Sequence, residues 1–218
     1  MKRRLLIVTL VCMILAISAA PISADASSIH HRNGHEGYLS PAAVKLKEDL
    51  RRLWIDHVVL TRNYIVSAVA GLEDQQVVLD RLLKNQQDIG NAFKPYYGEA
   101  AGNKIAELLK EHISIAGQLL TAMKSGNQAD ADKFNKAWHK NGDDIAAFLS
   151  SANPNWTNKQ LQEMFYVHLQ LVTDTMMARL TKDWKADIVA LDKGEDHMIM
   201  FADILSDGVI KQFPKQFN

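Results

Sequence analysis

The chain has 218 residues, with 25 basic and 25 acidic side chains, 47% hydrophobic residues and one cysteine. A formal charge of zero excludes a nucleic-acid surface built on excess cation and a strong electrostatic hold on membranes. A single cysteine excludes a disulfide framework, so stability is expected from one buried core, which a chain of this length can supply.

The chain opens Lys2-Arg3-Arg4, continues through an apolar run from Leu5 to Ala20 and reaches Ala24-Asp25-Ala26, the order of a secretory signal peptide cleaved after Ala26. The run is shorter than the roughly 20 residues that span a bilayer, and no second run of that length follows, so no stable membrane span is expected after cleavage. Cys12 lies inside the run, and Thr9-Leu10-Val11 before it lacks the small residue of a lipoprotein signal. The mature chain then has 22 basic and 24 acidic residues, a formal charge of −2, and no thiol. Residues 27–39 are polar and aperiodic, and His30, His31 and His35 among them are expected in a flexible tail.

From residue 40 to 218 the pattern is that of one helical-bundle domain. Ser40-Pro41 reads as an N-cap followed by proline in the first turn, and Leu46, Leu50, Leu53, His57, Leu60, Tyr64 and Ala68 hold a 3.6-residue period up to Gly71. A second helix from about Glu73 carries Val78, Leu82, Asn85, Ile89 and Phe93 and is expected to end before Pro95 and Gly98. A third, about 99–124, presents Ile105, Leu108, His112, Ala116, Leu119 and Met123; a fourth, about 130–151, presents Phe134, Trp138, Asn141, Ile145 and Phe148. The fifth opens on Thr157 and Gln160 in capping-box spacing and presents Leu161, Phe165, His168, Val172 and Thr175. The sixth, about 182–212, carries Trp184, Ile188, Leu191, Met198, Phe201 and Leu205, with Gly194 as an expected kink and Pro214 as the stop. With no strand alternation, the fold class is all-α: an up-and-down antiparallel bundle of about six long helices, arranged as three duplicated α-hairpins.

The duplication rests on spacing. His57, His112 and His168 recur at intervals of 55 and 56, and each is followed after 28, 29 and 29 residues by Asn85, Asn141 and His197. Helices leaving and re-entering one turn reach equal heights after equal counts, so each pair should lie side by side. Lys84-Asn85-Gln86-Gln87-Asp88-Ile89 and Lys140-Asn141-Gly142-Asp143-Asp144-Ile145 share Lys-Asn-x-x-Asp-Ile in the same phase, whereas the third hairpin diverges and has Asp203 as its nearest acid. Stacked units of this size explain a repeat without chemistry. They do not explain polar groups at one core level, because an unpaired buried imidazole or amide costs about 1–3 kcal/mol.

Two accounts of that level follow. One is a hydrogen-bonded network in which Asn85, Asn141, Asp88 and Asp144 satisfy the histidines and fix helix register. The other is a site for a transition metal ion or a small polar ligand, with His57, His112, His168 and His197 as imidazole donors and Asp88, Asp144 or Asp203 as carboxylates, a set that suits zinc, iron, manganese or copper. No Glu-x-x-His pair recurs and no His-x-x-x-His occurs, so the metal pattern lacks a motif. No activated nucleophile, phosphate-cradling loop or zinc-protease helix is present, and catalysis is not expected. Met176-Met177 and Met198-Ile199-Met200 read as core filler, and the aromatics of Pro95-Tyr96-Tyr97-Gly98 and Asn153-Pro154-Asn155-Trp156 as a cap on one end of the core.

Leu-Trp-Ile-Asp-His at 53–57, Asn-Gln-Gln-Asp-Ile-Gly-Asn-Ala at 85–92, Pro-Tyr-Tyr-Gly at 95–98 and Asp-Gly-Val-Ile-Lys-Gln-Phe-Pro at 207–214 resemble a family of small exported all-helical bacterial proteins. Members are often called glycosyltransferases without support, since a sugar-nucleotide transferase needs an α/β or multi-span scaffold. The resemblance implies export and one compact domain, and carries over no catalytic residue. The expected function is an exported binding or interaction protein, secreted or held at the cell envelope, whose polar level takes a metal ion or small polar ligand. The alternative is a purely structural or partner-binding module whose polar level only fixes register.

Overall fold

The computed structural model describes residues 39–218. The expected signal peptide (1–26) and His30, His31 and His35 of the polar tail lie outside the described residues. None of the described helices is long and apolar enough to cross a membrane.

The first helix, α1 (Pro41–Ala70), starts where Ser40 Oγ accepts the Ala43 amide at 3.2 Å and ends at Gly71, whose left-handed backbone returns its N–H to Ser67 O. The next run, α2 (Gln75–Ser125), is 51 residues long and is broken at Gly98, with φ 82° and ψ 169°. The expected stop before Pro95 is therefore displaced. The helix continues through Pro95, which forfeits a single backbone hydrogen bond, and breaks where glycine alone holds the required dihedrals. The two limbs fold against each other: a Cβ added at Gly102 would stand 2.6 Å from Gly90 O, and Lys110 Nζ donates to Gln87 Oε1 at 2.7 Å.

The remaining helices are α3 (Gln128–Ala152), α4 (Asn158–Thr181) and α5 (Trp184–Gln212), followed by a single 3₁₀ turn at Pro214–Gln216. Asn127, Thr157 and Asp183 cap them through the amides of Asp130, Gln160 and Ala186. The expected kink at Gly194 is absent: α5 keeps helical backbone there, and the missing side chain lets α5 approach Val58 of α1. The described residues contain no strand. The five helices pack in a closed order, each against its chain neighbours and α5 back onto α1, with α1 also meeting α4.

The core is in two parts. One apolar cluster runs from Leu46, Leu50 and Trp54 through Phe93, Leu109, Ile145, Phe165, Phe201 and Leu205 to Phe217; the other gathers Ile65, Leu119, Leu120, Trp138, Leu169 and Met176. At the outer end of the first, Tyr97 lies 5.9 Å from Trp156 and 5.3 Å from Phe213 between ring centroids, and Asn153 Nδ2 donates to Tyr97 Oη at 2.9 Å. The two aromatic connections thus meet and close that end. Trp184 and Ile188 depart from the expected stripe of α5: both are exposed, Trp184 at 53%, and the inward positions belong to Asp187, Ala190, Gly194 and His197.

Candidate functional site

The boundary between the two clusters is where the polar side chains sit. His57 on α1, His112 on the second limb of α2 and His168 on α4 are all buried. His168 stands between the other two, 5.4 Å from the His57 ring and 5.8 Å from the His112 ring. Trp54 meets the outer face of His57 at 5.5 Å, and Trp138 that of His112 at 5.1 Å, so one row of rings crosses the bundle. The 3.6-residue period builds it, because each histidine follows a residue of the first apolar cluster, Leu53 or Trp54, Leu109 and Phe165, by about one turn on the same face.

The hydrogen bonds orient the His112 ring. Asn141 Nδ2 donates to Leu108 O at 3.2 Å and to Glu111 Oε2 at 3.3 Å, which leaves its Oδ1 to accept from His112 Nδ1 at 2.7 Å. The bare Nε2 of His112 then has no partner among the described residues, as is true of the indole N–H groups of Trp54 and Trp138. At His57 the donor is Gln86 Nε2, 3.1 Å from Nδ1, and the same amide nitrogen reaches Leu82 O at 2.9 Å and Asn85 Oδ1 at 3.0 Å. The two hydrogens of this amide cannot serve all three acceptors, and the buried Gln86 Oε1 has no partner among the described residues.

One contact recurs in all three segments. Asn85 Nδ2 donates to Leu53 O at 3.0 Å, Asn141 Nδ2 to Leu108 O, and His197 Nε2 to Met164 O at 2.8 Å. Each accepting carbonyl lies four residues before His57, His112 or His168, and the separations along the chain are 32, 33 and 33 residues. His197 thus replaces asparagine without losing the bond, although it does not reach His168 as the side-by-side pairing implied. No hydrogen bond to the His168 side chain is present among the described residues.

Burial keeps these rings neutral. It pushes His57 down to about 3, with the neighbouring His112 adding to the effect and the Gln86 bond opposing it; it pushes His112 down to about 4 against the Asn141 bond. His168 is held well below the ordinary histidine range, first by burial and then by His57, His112 and His197; His197 is lowered by burial against its bond to Met164.

The carboxylates named as candidates do not join the row. Asp88 pairs with Lys84 and Asp144 with Lys140, each one turn apart on the outer face, and Asp203 takes Arg51 Nη2 at 2.7 Å with Lys47 nearby. The shared Lys-Asn-x-x-Asp-Ile string thus combines an outward Lys/Asp pair with inward asparagine and isoleucine. Among the described residues no group of three His, Cys, Asp or Glu side chains is disposed to hold a metal ion. Gln86 was missed in the sequence, although Leu82, Gln86, Ile89 and Phe93 share a face at spacings of four, three and four. Asp187 was missed for a similar reason: with Gly194, Met198, Phe201 and Leu205 it completes the inward stripe of α5.

Asp187, 1% exposed, receives Arg62 Nε at 2.9 Å and Nη2 at 2.6 Å, and Arg179 Nη1 at 3.2 Å, while the Arg179 guanidinium covers the Trp184 ring at 4.6 Å. Burial alone would raise the Asp187 carboxyl, but Arg62 and then Arg179 hold it below the ordinary range. Beside this cluster, between α1, α4 and α5, lies a cavity of about 20 Å³ whose polar lining is Thr61, Arg62, His168 and Thr175. A shallow groove of about 600 Å³ opens between α2, α3 and α4, with His139, Asp132 and Gln170 on its walls. Comparison with known proteins finds no matching family model, no matching curated protein and no matching solved structure.

Proposed function

We propose that this chain is an exported helical-bundle interaction protein of three duplicated hairpins, in which the His/Asn level serves as a register device. The supporting observation is the contact made three times, from Asn85, Asn141 and His197 to the carbonyl one turn before the hairpin's histidine. A side-chain donor on one helix seated on a backbone oxygen of the next fixes their relative height, since a partial slide leaves the buried donor unpaired while the carbonyl keeps its own helical amide. The break at Gly98 between two adjacent limbs of α2 supports reading the bundle as six helical segments. The signal-like N-terminus and the family resemblance are the reasons for assigning export. The interaction surface is assigned to α4 and α5, which carry Tyr166, Val167, Met177, Trp184, Ile188, Val189 and Met200, most of the large apolar side chains left exposed.

A double-mutant cycle between His112→Leu and Asn141→Leu, read by urea unfolding, tests the register role. The expected coupling is about 1–2 kcal/mol, and additive losses would overturn it. Thermal unfolding without a purification tag, with chelator or with zinc, copper, iron or manganese, tests the competing metal site. The expected midpoint is the same throughout, whereas a midpoint rising with metal concentration would favour the metal.

A second reading, uptake of a small ligand at the same level, is favoured by one observation: among the described residues His168 lacks the partners that occupy His57, His112 and His197, and it lines a cavity.

A further inference from the structure

We propose that the cavity between α1, α4 and α5 is a binding site for one small monovalent anion of halide size, held by Thr61, Arg62 and His168. This rests on reading His168 as the histidine not engaged in register. The volume, about 20 Å³, is that of a site for one small sphere. Thr61 is 7% exposed and its buried hydroxyl oxygen has no partner among the described residues, although a buried hydroxyl ordinarily finds one. Thr175 is already committed, donating to Leu171 O at 3.0 Å.

The charge around the cavity favours an anion over water. Two guanidiniums, their side chains 22% and 16% exposed, share the one carboxylate of Asp187, and the buried Arg179 Nε has no acceptor among the described residues. The cluster therefore carries a surplus positive charge in a weakly screened setting. No carboxylate lines the cavity to repel a halide. The titratable groups beside His168 and the cavity are His57 and Arg62 from α1, His112 from α2 and His197 from α5, with Asp187 and Arg179 joined to them through Arg62. All but Asp187 are basic, and Asp187 is already shared by both arginines.

The test measures the thermal midpoint of the purified protein at matched ionic strength as sodium gluconate is replaced by sodium chloride or bromide. The expected result is a rise of several degrees at pH 7.5, and its loss in Thr61→Val, which keeps the shape and removes the donor. Crystals soaked in bromide should show an anomalous peak between Thr61 and His168. No halide-dependent shift, an equal shift in Thr61→Val, or a cavity holding only water would overturn the proposal. The His112/Asn141 cycle is independent of halide, so failure here leaves the register reading standing, and failure there is seen separately.

Discussion

Asp187 and Asp144 show how much the setting of one carboxylate decides. Asp144 pairs with Lys140 at 2.5 Å on an open helix face, where solvent screens the charge and the long lysine chain loses freedom. Lys140→Ala is expected to lower stability by less than about 0.5 kcal/mol, measured by urea unfolding. Asp187→Asn leaves Arg62 and Arg179 without a counter-charge beside the core, and the expected loss in the same assay is about 3–5 kcal/mol. Both aspartates look alike as letters in a helical stretch. Their phase against apolar neighbours distinguishes them: Asp187 is in step with Gly194, Met198 and Phe201, and Asp144 sits on the face opposite Trp138 and Ile145.

At the scale of elements, two glycines carry geometry that no other residue reproduces. Gly98 breaks α2 with φ 82° and ψ 169°, a region open to glycine almost alone, so Gly98→Ala is expected to cost about 1–3 kcal/mol, seen as a lower urea midpoint. Gly208 faces Trp156, whose indole N–H donates to Ile204 O at 3.1 Å; a Cβ there would overlap the ring. Gly208→Ala should displace the indole, shift Trp emission to the red and lower stability by about 1–3 kcal/mol. The helix starts were legible because caps act within three residues: Ser40, Thr157 and Pro41 need no tertiary partner. The misplaced stop at Pro95 has the opposite origin, for Tyr96 and Tyr97 extend the helix by docking on Phe213, Phe217 and Trp156, which are far away in the chain.

For the whole molecule, the neutral histidine row makes stability depend on pH. In the unfolded chain each ring takes a proton near 6.5, whereas in the bundle His112 holds out to about 4 and His57 to about 3. Below 6.5 the unfolded state therefore binds more protons, and stability falls as pH drops. Each of these two rings contributes about 1.4 kcal/mol per pH unit, with His168 adding in the same direction until the folded values are reached. Urea midpoints measured from pH 7.5 to pH 4.5 should fall steeply below 6.5, and His57→Gln with His112→Gln should flatten the slope. A flat profile in the parent would contradict the neutral row.

The sequence by itself determined the all-helical class, most helix boundaries and the faces that carry His57, Asn85, His112, Asn141 and His168, because capping and a 3.6-residue period are local properties of the chain. Tertiary structure alone decided that Asp88, Asp144 and Asp203 face outward into ion pairs, that Gln86 serves His57, and that Asp187 displaces Trp184 from the core. The reason is that direction within a face and pairing between faces depend on which helix lies opposite. A period along one helix restricts where a side chain points to an arc, and the neighbouring helix decides which group within that arc finds a partner.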